Sequence, residues 1–241
     1  MRLALVIPTA DPPTAVEECL RALAPLRARG HRLILVHGGS LAAASACDRS
    51  LADRIVQAPR GWSFQANAGA RTAEAETADA LVFVPGSVRL PDDADRAIAR
   101  ALDRGASPWG FFAWGAGEPR AGAATPPGGG LALRLAAALA DTAARLSRSA
   151  LAEQSIFATR AAFEALEGFD CDEDPPDIGF CRRARLLGAP IRLPLRVAVP
   201  ATVRGAAATL GEAVQREAWR LACAWDLPWR PQPPSCPVPR R

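Results

Sequence analysis

The residues best placed to do chemistry fall in four short stretches and one acidic run. Arg60-Gly61 stands just before a helix expected over 63–75, whose first turns carry Gln65, Asn67 and Gly69. A helix N-terminus presents unpaired backbone N–H groups and the positive end of the helix dipole, so an adjacent Arg favours an anionic group there. The plainer reading is that Ser63 caps the helix, Arg60 is solvated and Asn67 satisfies local backbone. His37-Gly38-Gly39-Ser40 follows an apolar run, and its two glycines let a ligand approach the backbone closely. Pro85-Gly86-Ser87 and Pro8-Thr9-Ala10-Asp11 each stand at the end of another such run. The acidic run, residues 170–177, crowds five carboxylates into eight residues before a helix expected over 178–187. Charge of that sign is favourable at a helix start, so a solvated acidic loop accounts for it. A catalytic account needs one carboxylate, Asp177, to face a cleft as a general base.

Composition limits what these residues can be doing. All 29 basic residues of the 241 are Arg, so a Schiff-base lysine and a Walker-type phosphate-binding lysine are both excluded. Any phosphate must be met by Arg or by backbone amides. The net charge of +4 and pI near 9.0 are mild, and no basic run occurs before Arg240-Arg241, which argues against a dedicated nucleic-acid protein. Six cysteines without a C-x-x-C pair and only two histidines leave no zinc spacing, so the cysteines are expected to be reduced thiols. The apolar run near Met1 is too short for a signal peptide, and no stretch is apolar enough to span a bilayer. A soluble cytoplasmic protein is expected.

The elements that must carry these residues alternate. Apolar runs at 3–7, 33–36 and 81–84 predict buried parallel strands that end at the candidate ligand loops, and a short strand is expected at 54–57. Thr14 and Glu17 make a capping-box spacing before a first helix that Gly30 ends. Further helices are expected around 42–50 and from Pro91, with Asp92, Asp93 and Asp95 in the first turn. The alternation predicts an α/β fold with a mostly parallel sheet flanked by helices. Ligands in such sheets bind at the strands' C-terminal ends. Strands at 109–114 and 155–158, a Gly/Ala/Pro-rich loop over 115–130 and a helix over 131–146 are expected next. Thr209 and Glu212 would cap a last helix with Leu210, Val214, Ala218, Leu221 and Trp225 on its apolar face. The expected organisation is one domain, 1–227, and a proline-rich extended tail, 228–241.

In their order along the chain, VIPTAD, VHGGS, APRGWSFQANAGA, LVFVPGSVRLP, EQSIFATRAAFEALEGFD and PDIGFCRRARLLG resemble the family-2 glycosyltransferases of the GT-A fold. Within that family they are most similar to the arsenosugar-biosynthesis subgroup. The resemblance covers about residues 1–225, and Arg60-Gly61 to Gln65-x-Asn67-Ala68-Gly69 is its most specific part. It implies a nucleotide-diphosphosugar donor near Pro8, Thr9, Asp11, His37, Gly38, Gly39, Arg60, Gln65, Asn67 and Ser87. It also implies a small-molecule acceptor near Glu153, Gln154 and Arg182, with Asp177 in the place of the general base.

The departures are as informative. Where the family carries a nucleotide-contacting aspartate, this chain has His37, and where it carries the His-Ala-Asp metal motif, this chain has Pro85, Gly86 and Ser87. The usual ligand position for Mg²⁺ or Mn²⁺ is therefore Ser87. The family's acceptor-side Glu-Asp pair is Pro176-Asp177 here, Glu153 replaces the Asp before Gln154, and a late Arg-Arg-Trp motif is missing. Three expectations follow. One is a metal-independent or metal-weakened sugar transferase in which Asp177 deprotonates the acceptor and Arg60, with Arg145 or Arg182, offsets the diphosphate charge. Another is an inactive pseudoenzyme that acts through a protein partner. The last is an enzyme whose cation has moved to Asp172, Glu173 and Asp174.

Overall fold

The structure, a computed structural model, describes residues 1–9, 13–39, 48–116, 129–173, 175–199 and 210–227. Asp11, Ser40, Asp174, the expected loop between 117 and 128, most of the helix expected around 42–50, Thr209 and the 228–241 tail lie outside the described residues. Seven strands are β1 (Leu3–Thr9), β2 (Arg32–His37), β3 (Arg54–Gln57), β4 (Ala80–Phe83), β5 (Trp109–Ala116), β6 (Phe157–Thr159) and β7 (Ile191–Val199). The helices are α1 (Pro13–Ala28), α2 (Trp62–Ala70), α3 (Ala73–Glu76), α4 (Ala94–Asp103), α5 (Gly129–Ser147), α6 (Arg160–Ala165), α7 (Pro176–Ala184) and α8 (Leu210–Ala224).

The strands form one sheet in the order β3-β2-β1-β4-β6-β5-β7. Every pairing is parallel except the two made by β6, so the sheet is mostly parallel with one reversed strand inside it. Both faces of the sheet are covered, and alternate residues divide between them. Leu3, Leu5 and Ile7 pack with Val16, Leu20 and Leu23 of α1 and Ile98 of α4. Ala4 and Val6 face the other way, toward Ala66 of α2, Phe163 of α6 and Phe180 of α7. Small residues are needed on that side. A Cβ on Gly69 would stand 2.4 Å from Val6 Cγ1 and 2.8 Å from Val36 Cγ2.

Several elements differ from their expected form, each for a local reason. The helix expected over 63–75 is two helices, because Thr72 accepts the Ala75 N–H (3.3 Å) and starts α3 afresh. Its start is capped by Gly61, at φ 132°, and Ser63 is buried in the first turn instead of capping. The helix expected from Pro91 begins at Ala94, and Asp95 turns inward to Arg29 (2.7 Å) and His31 (3.0 Å). The strand expected at 155–158 begins at Phe157, because Ser155 adopts a left-handed conformation (φ 49°). The expected helix over 178–187 runs from Pro176 to Ala184.

Strand β7 was not among the expected elements, and Pro194 lies within it. Proline cannot donate to a ladder and is tolerated at edges and bulges. Here β7 is the edge strand, and its register with β5 slips between Phe112 and Ala113, opposite Pro194 and Leu195. Helix α8 is rotated from its expected face: Val214 and Trp225 are exposed, while Glu217 and Arg220 are buried.

Candidate active site

The order of strands reverses between β1 and β4: the chain moves outward from β1 through β2 to β3, then returns to lay β4 on the other side of β1. A crevice opens outside the C-terminal ends of strands at such a point. Thr9, His37 and Pro85 stand at those ends, so the topology brings the three strand-end loops together. The edge is stitched by backbone and amide bonds. Gly38 N–H donates to the Thr9 carbonyl (2.8 Å), and Gly86 N–H to that of Pro8 (3.3 Å). Buried Gln65 reaches from α2 to donate to the carbonyls of Thr9 (2.7 Å) and Val36 (2.9 Å). A Cβ on Gly38 would lie 2.9 Å from the Gln65 amide carbon, so the glycine is what lets Gln65 reach in.

Two groups on this edge keep unused donors. Exposed Arg60 is held by its Nε–H, which donates to the Gly38 carbonyl (3.1 Å), and among the described residues it has no carboxylate partner. His37 is buried, and its Nδ1 accepts the Gly39 N–H (2.8 Å). That bond puts the ring proton on Nε2, which has no partner among the described residues. Asn67 is placed differently. Its amide donates to the Phe169 carbonyl (2.7 Å) and accepts the Phe169 N–H (3.0 Å), joining α2 to the segment before the acidic run. Thus Gln65 and Asn67 are both committed to backbone groups, whereas Arg60 is exposed at the strand-end loops and His37 is buried beneath them. Ser87 is partly exposed just beyond the end of β4.

Because β6 runs backward, its N-terminal end meets the C-terminal end of β4, with Phe83 N–H donating to the Ile156 carbonyl (2.9 Å). The 3-10 turn Ala152–Gln154 precedes it and therefore lies on the same sheet edge as Thr9 and His37. Asp177, in the first turn of α7, is buried there and accepts the N–H groups of Ala152 (2.7 Å) and Ile178 (2.8 Å). Burial, with the neighbouring Glu153 charge, raises its carboxyl to about 6, against the lowering effect of the two amides and of Arg220. The desolvation of the carboxylate outweighs its hydrogen bonds. Glu153 is half-buried on the turn, and Gln154 is wholly buried, donating to the Phe112 carbonyl (3.3 Å). Nearby Cys181 is pushed up to about 12 by burial, which makes it an inert thiol. Cys171 and Cys181 are free thiols.

Arg182 faces a pocket of about 180 Å³ lined also by Glu173, Ile178, Cys223 and Asp226. Its guanidinium is paired with Glu173 (3.2 Å) and Asp226 (3.2 Å), and Glu173 is paired again with Arg183 (2.8 Å). This arrangement does not suit a divalent cation, because Glu173 is already neutralised. The end of β4 supplies no carboxylate either. Among the described residues no group of three His, Cys, Asp or Glu side chains could hold a metal ion. Sequence reasoning missed Arg220, whose only signal was the i,i+3 spacing of Glu217 and Arg220 within an amphipathic helix.

No protein-family model matches the chain, and no curated protein does. Solved structures do. A TarS fragment, residues 1–349, from S. aureus superposes with a TM-score of 0.57 at 12% identity, covering 93% of this chain and 65% of its own. The mannosyltransferase PcManGT of Pyrobaculum calidifontis superposes with a TM-score of 0.59 at 16% identity, over 93% of this chain and 63% of its own. The chain has the GT-A fold. Glucosyl-3-phosphoglycerate synthase from Mycobacterium tuberculosis gives a TM-score of 0.50 at 16% identity, covering 95% of this chain and 81% of its own. The GT-A chain spans less than two thirds of the TarS fragment and of the mannosyltransferase. The TarS fragment is known in complex with UDP-GlcNAc, PcManGT with GDP-Man and Mn²⁺, and the synthase with Mg²⁺ and UDP. Among the described residues no helix is long and apolar enough to cross a membrane.

Proposed function

We propose that the chain is a glycosyltransferase that moves a sugar from a nucleotide-diphosphosugar to a hydroxyl of a small-molecule acceptor, with Asp177 as general base. The observation that carries this reading is the position of Asp177: a buried carboxyl near pH 6 on the same sheet edge as the strand-end loops and Arg60. The fold shared with proteins solved bearing UDP-GlcNAc or GDP-Man supports a donor of that class. The likeness of the Arg60–Gly69 segment and the Gln154-x-Ile156-Phe157 block supports family 2 and its arsenosugar-biosynthesis-like subgroup. Residues 1–227 as one cytoplasmic catalytic domain, with 228–241 as its tail, complete the reading.

The donor binds outside β1 and β4, with its diphosphate toward the exposed guanidinium of Arg60. The acceptor oxygen attacks the anomeric carbon as its proton passes to Asp177. The bond from that carbon to the diphosphate oxygen breaks, and the nucleoside diphosphate leaves with the electron pair. A carboxyl near 6 is about ten to one ionised at pH 7 and is a stronger base than an ordinary Asp. Each Asp177 oxygen accepts one amide and keeps a further lone pair for the proton. A divalent cation screens such a diphosphate in enzymes that hold one. The described residues do not fit it, so the leaving group's charge falls to Arg60, and the transfer is metal-independent.

Titration calorimetry with UDP, GDP and their sugar conjugates, with Mn²⁺ and with EDTA, tests this reading. Binding that survives EDTA is expected, together with transfer that Asp177→Asn abolishes. Binding only with Mn²⁺ overturns metal independence, and the absence of binding to every nucleotide overturns the donor assignment.

A further inference from the structure

Arg220 is fully buried on α8, far along the chain from every residue that resembles a site motif. Its Nη1 donates to the Ala140 carbonyl of α5 (3.1 Å) and to Glu217 (3.3 Å). Its Nη2 donates to the Ser149 carbonyl and to Gln154 Oε1 (3.1 Å). The same Gln154 oxygen accepts the Leu151 N–H (3.2 Å), so the guanidinium fixes the start of the 3-10 turn. Ala152, the next residue, then donates its N–H to Asp177 (2.7 Å). Removing one partner from a buried charge network is costly, which makes such a clamp rigid.

We propose that Arg220 is the positioning residue of Asp177: through Gln154 it holds the turn whose Ala152 amide sets the place of the Asp177 carboxylate. The inference rests on the reading of Asp177 as the base, and it makes α8 a part of the site through the turn that it holds. The charged and titratable groups that act on Asp177 from the elements packed against it are Glu153 on the turn, Cys181 along α7 and Arg220 on α8. Among them Arg220 is the cation, so it favours the ionised carboxylate that a base requires. A buried arginine that merely ties α8 to α5 would leave Asp177 untouched.

The test is carbonyl-carbon NMR titration of Asp177 and hydrogen exchange at the Ala152 amide, in the full chain. In Arg220→Met the Asp177 midpoint is expected to rise by about one pH unit, and the Ala152 amide to exchange at least about ten times faster. Arg220→Lys, which keeps the charge, should bring the midpoint most of the way back. A folded Arg220→Met with an unchanged midpoint and unchanged exchange overturns the proposal. If that variant does not fold, Gln154→Met cuts the link while leaving the charge: faster Ala152 exchange supports the proposal, and unchanged exchange overturns it. Neither readout uses sugar transfer, so an Asp177 that is not the base is told apart by the transfer assay of Asp177→Asn.

Discussion

Replacing Asp177 by Asn removes a titrating group while leaving one carbonyl oxygen to accept a backbone amide. In the folded chain the carboxyl stands at about 6, against 3.8 in its ordinary state. A folded value above the unfolded one means that the group's contribution to stability is complete below 3.8 and is lost as the pH rises through 6. At neutral pH the ionised, buried Asp177 therefore costs about 3 kcal/mol, the difference between the two values at 1.36 kcal/mol each. Asn does not titrate. It loses one of the two amide bonds that Asp177 accepts, which costs about 1 kcal/mol at every pH. The variant should accordingly be about 0.5 kcal/mol less stable than the parent at pH 4, and about 2 kcal/mol more stable at pH 7. Urea unfolding of both proteins at several pH values between 4 and 7 measures the crossing directly. Transfer should meanwhile fall by about 100-fold to 10,000-fold in the stabilised variant. A stability difference that stays constant with pH would show that Asp177 titrates ordinarily and only caps α7, and the reasoning would fail.

The other expected outcomes concern the donor edge and the scaffold. Arg60→Ala removes the cation beside the Gly38 carbonyl and should weaken nucleotide-diphosphosugar binding by about 10-fold to 100-fold, with a shallower salt dependence, in calorimetry. Asp95 is the acid-side case: burial would raise its carboxyl, but bonds from Arg29 and His31 hold it down at about 2. Its stabilisation is present above 3.8 and is lost as the pH falls through about 2, so the stability gap between parent and Asp95→Asn, about 2 kcal/mol at pH 6, should close in that range. Gly69→Ala drives a methyl into Val6 and Val36 and should cost about 1–3 kcal/mol in thermal unfolding.

What could be read from the sequence was whatever local pattern encodes. Continuous apolar runs place β1, β2 and β4, because a strand buried on both faces has no polar positions to interrupt it. The loops at their ends follow from proline and glycine, and the candidate base follows from Asp177 at a helix start. The unread part depends on partners distant in the chain. Gln65 and Asn67 look like ligand-binding amides in sequence, yet their partners are carbonyls of Thr9 and Phe169, which no spacing rule reveals. The apolar face expected for α8 failed for a related reason. Glu217 and Arg220 are buried because carbonyls of Ala140 and Ser149 meet the guanidinium, so charged residues take the inner side and Val214 and Trp225 the outer. Strand β7 escaped notice, and Pro194 argues against a strand until the slipped register beside it is known.

The reversed strand has a consequence for biosynthesis. β4 and β5 are both complete before β6 emerges, yet β6 sits between them in the sheet. During translation the four parallel strands β3, β2, β1 and β4 can assemble first, leaving the apolar Ala80–Phe83 ladder with an open edge. That edge remains a template for pairing with other chains until residues 157–159 arrive to close it. The nascent chain should therefore depend on chaperones most strongly in the interval when β5 has left the ribosome and β6 has not.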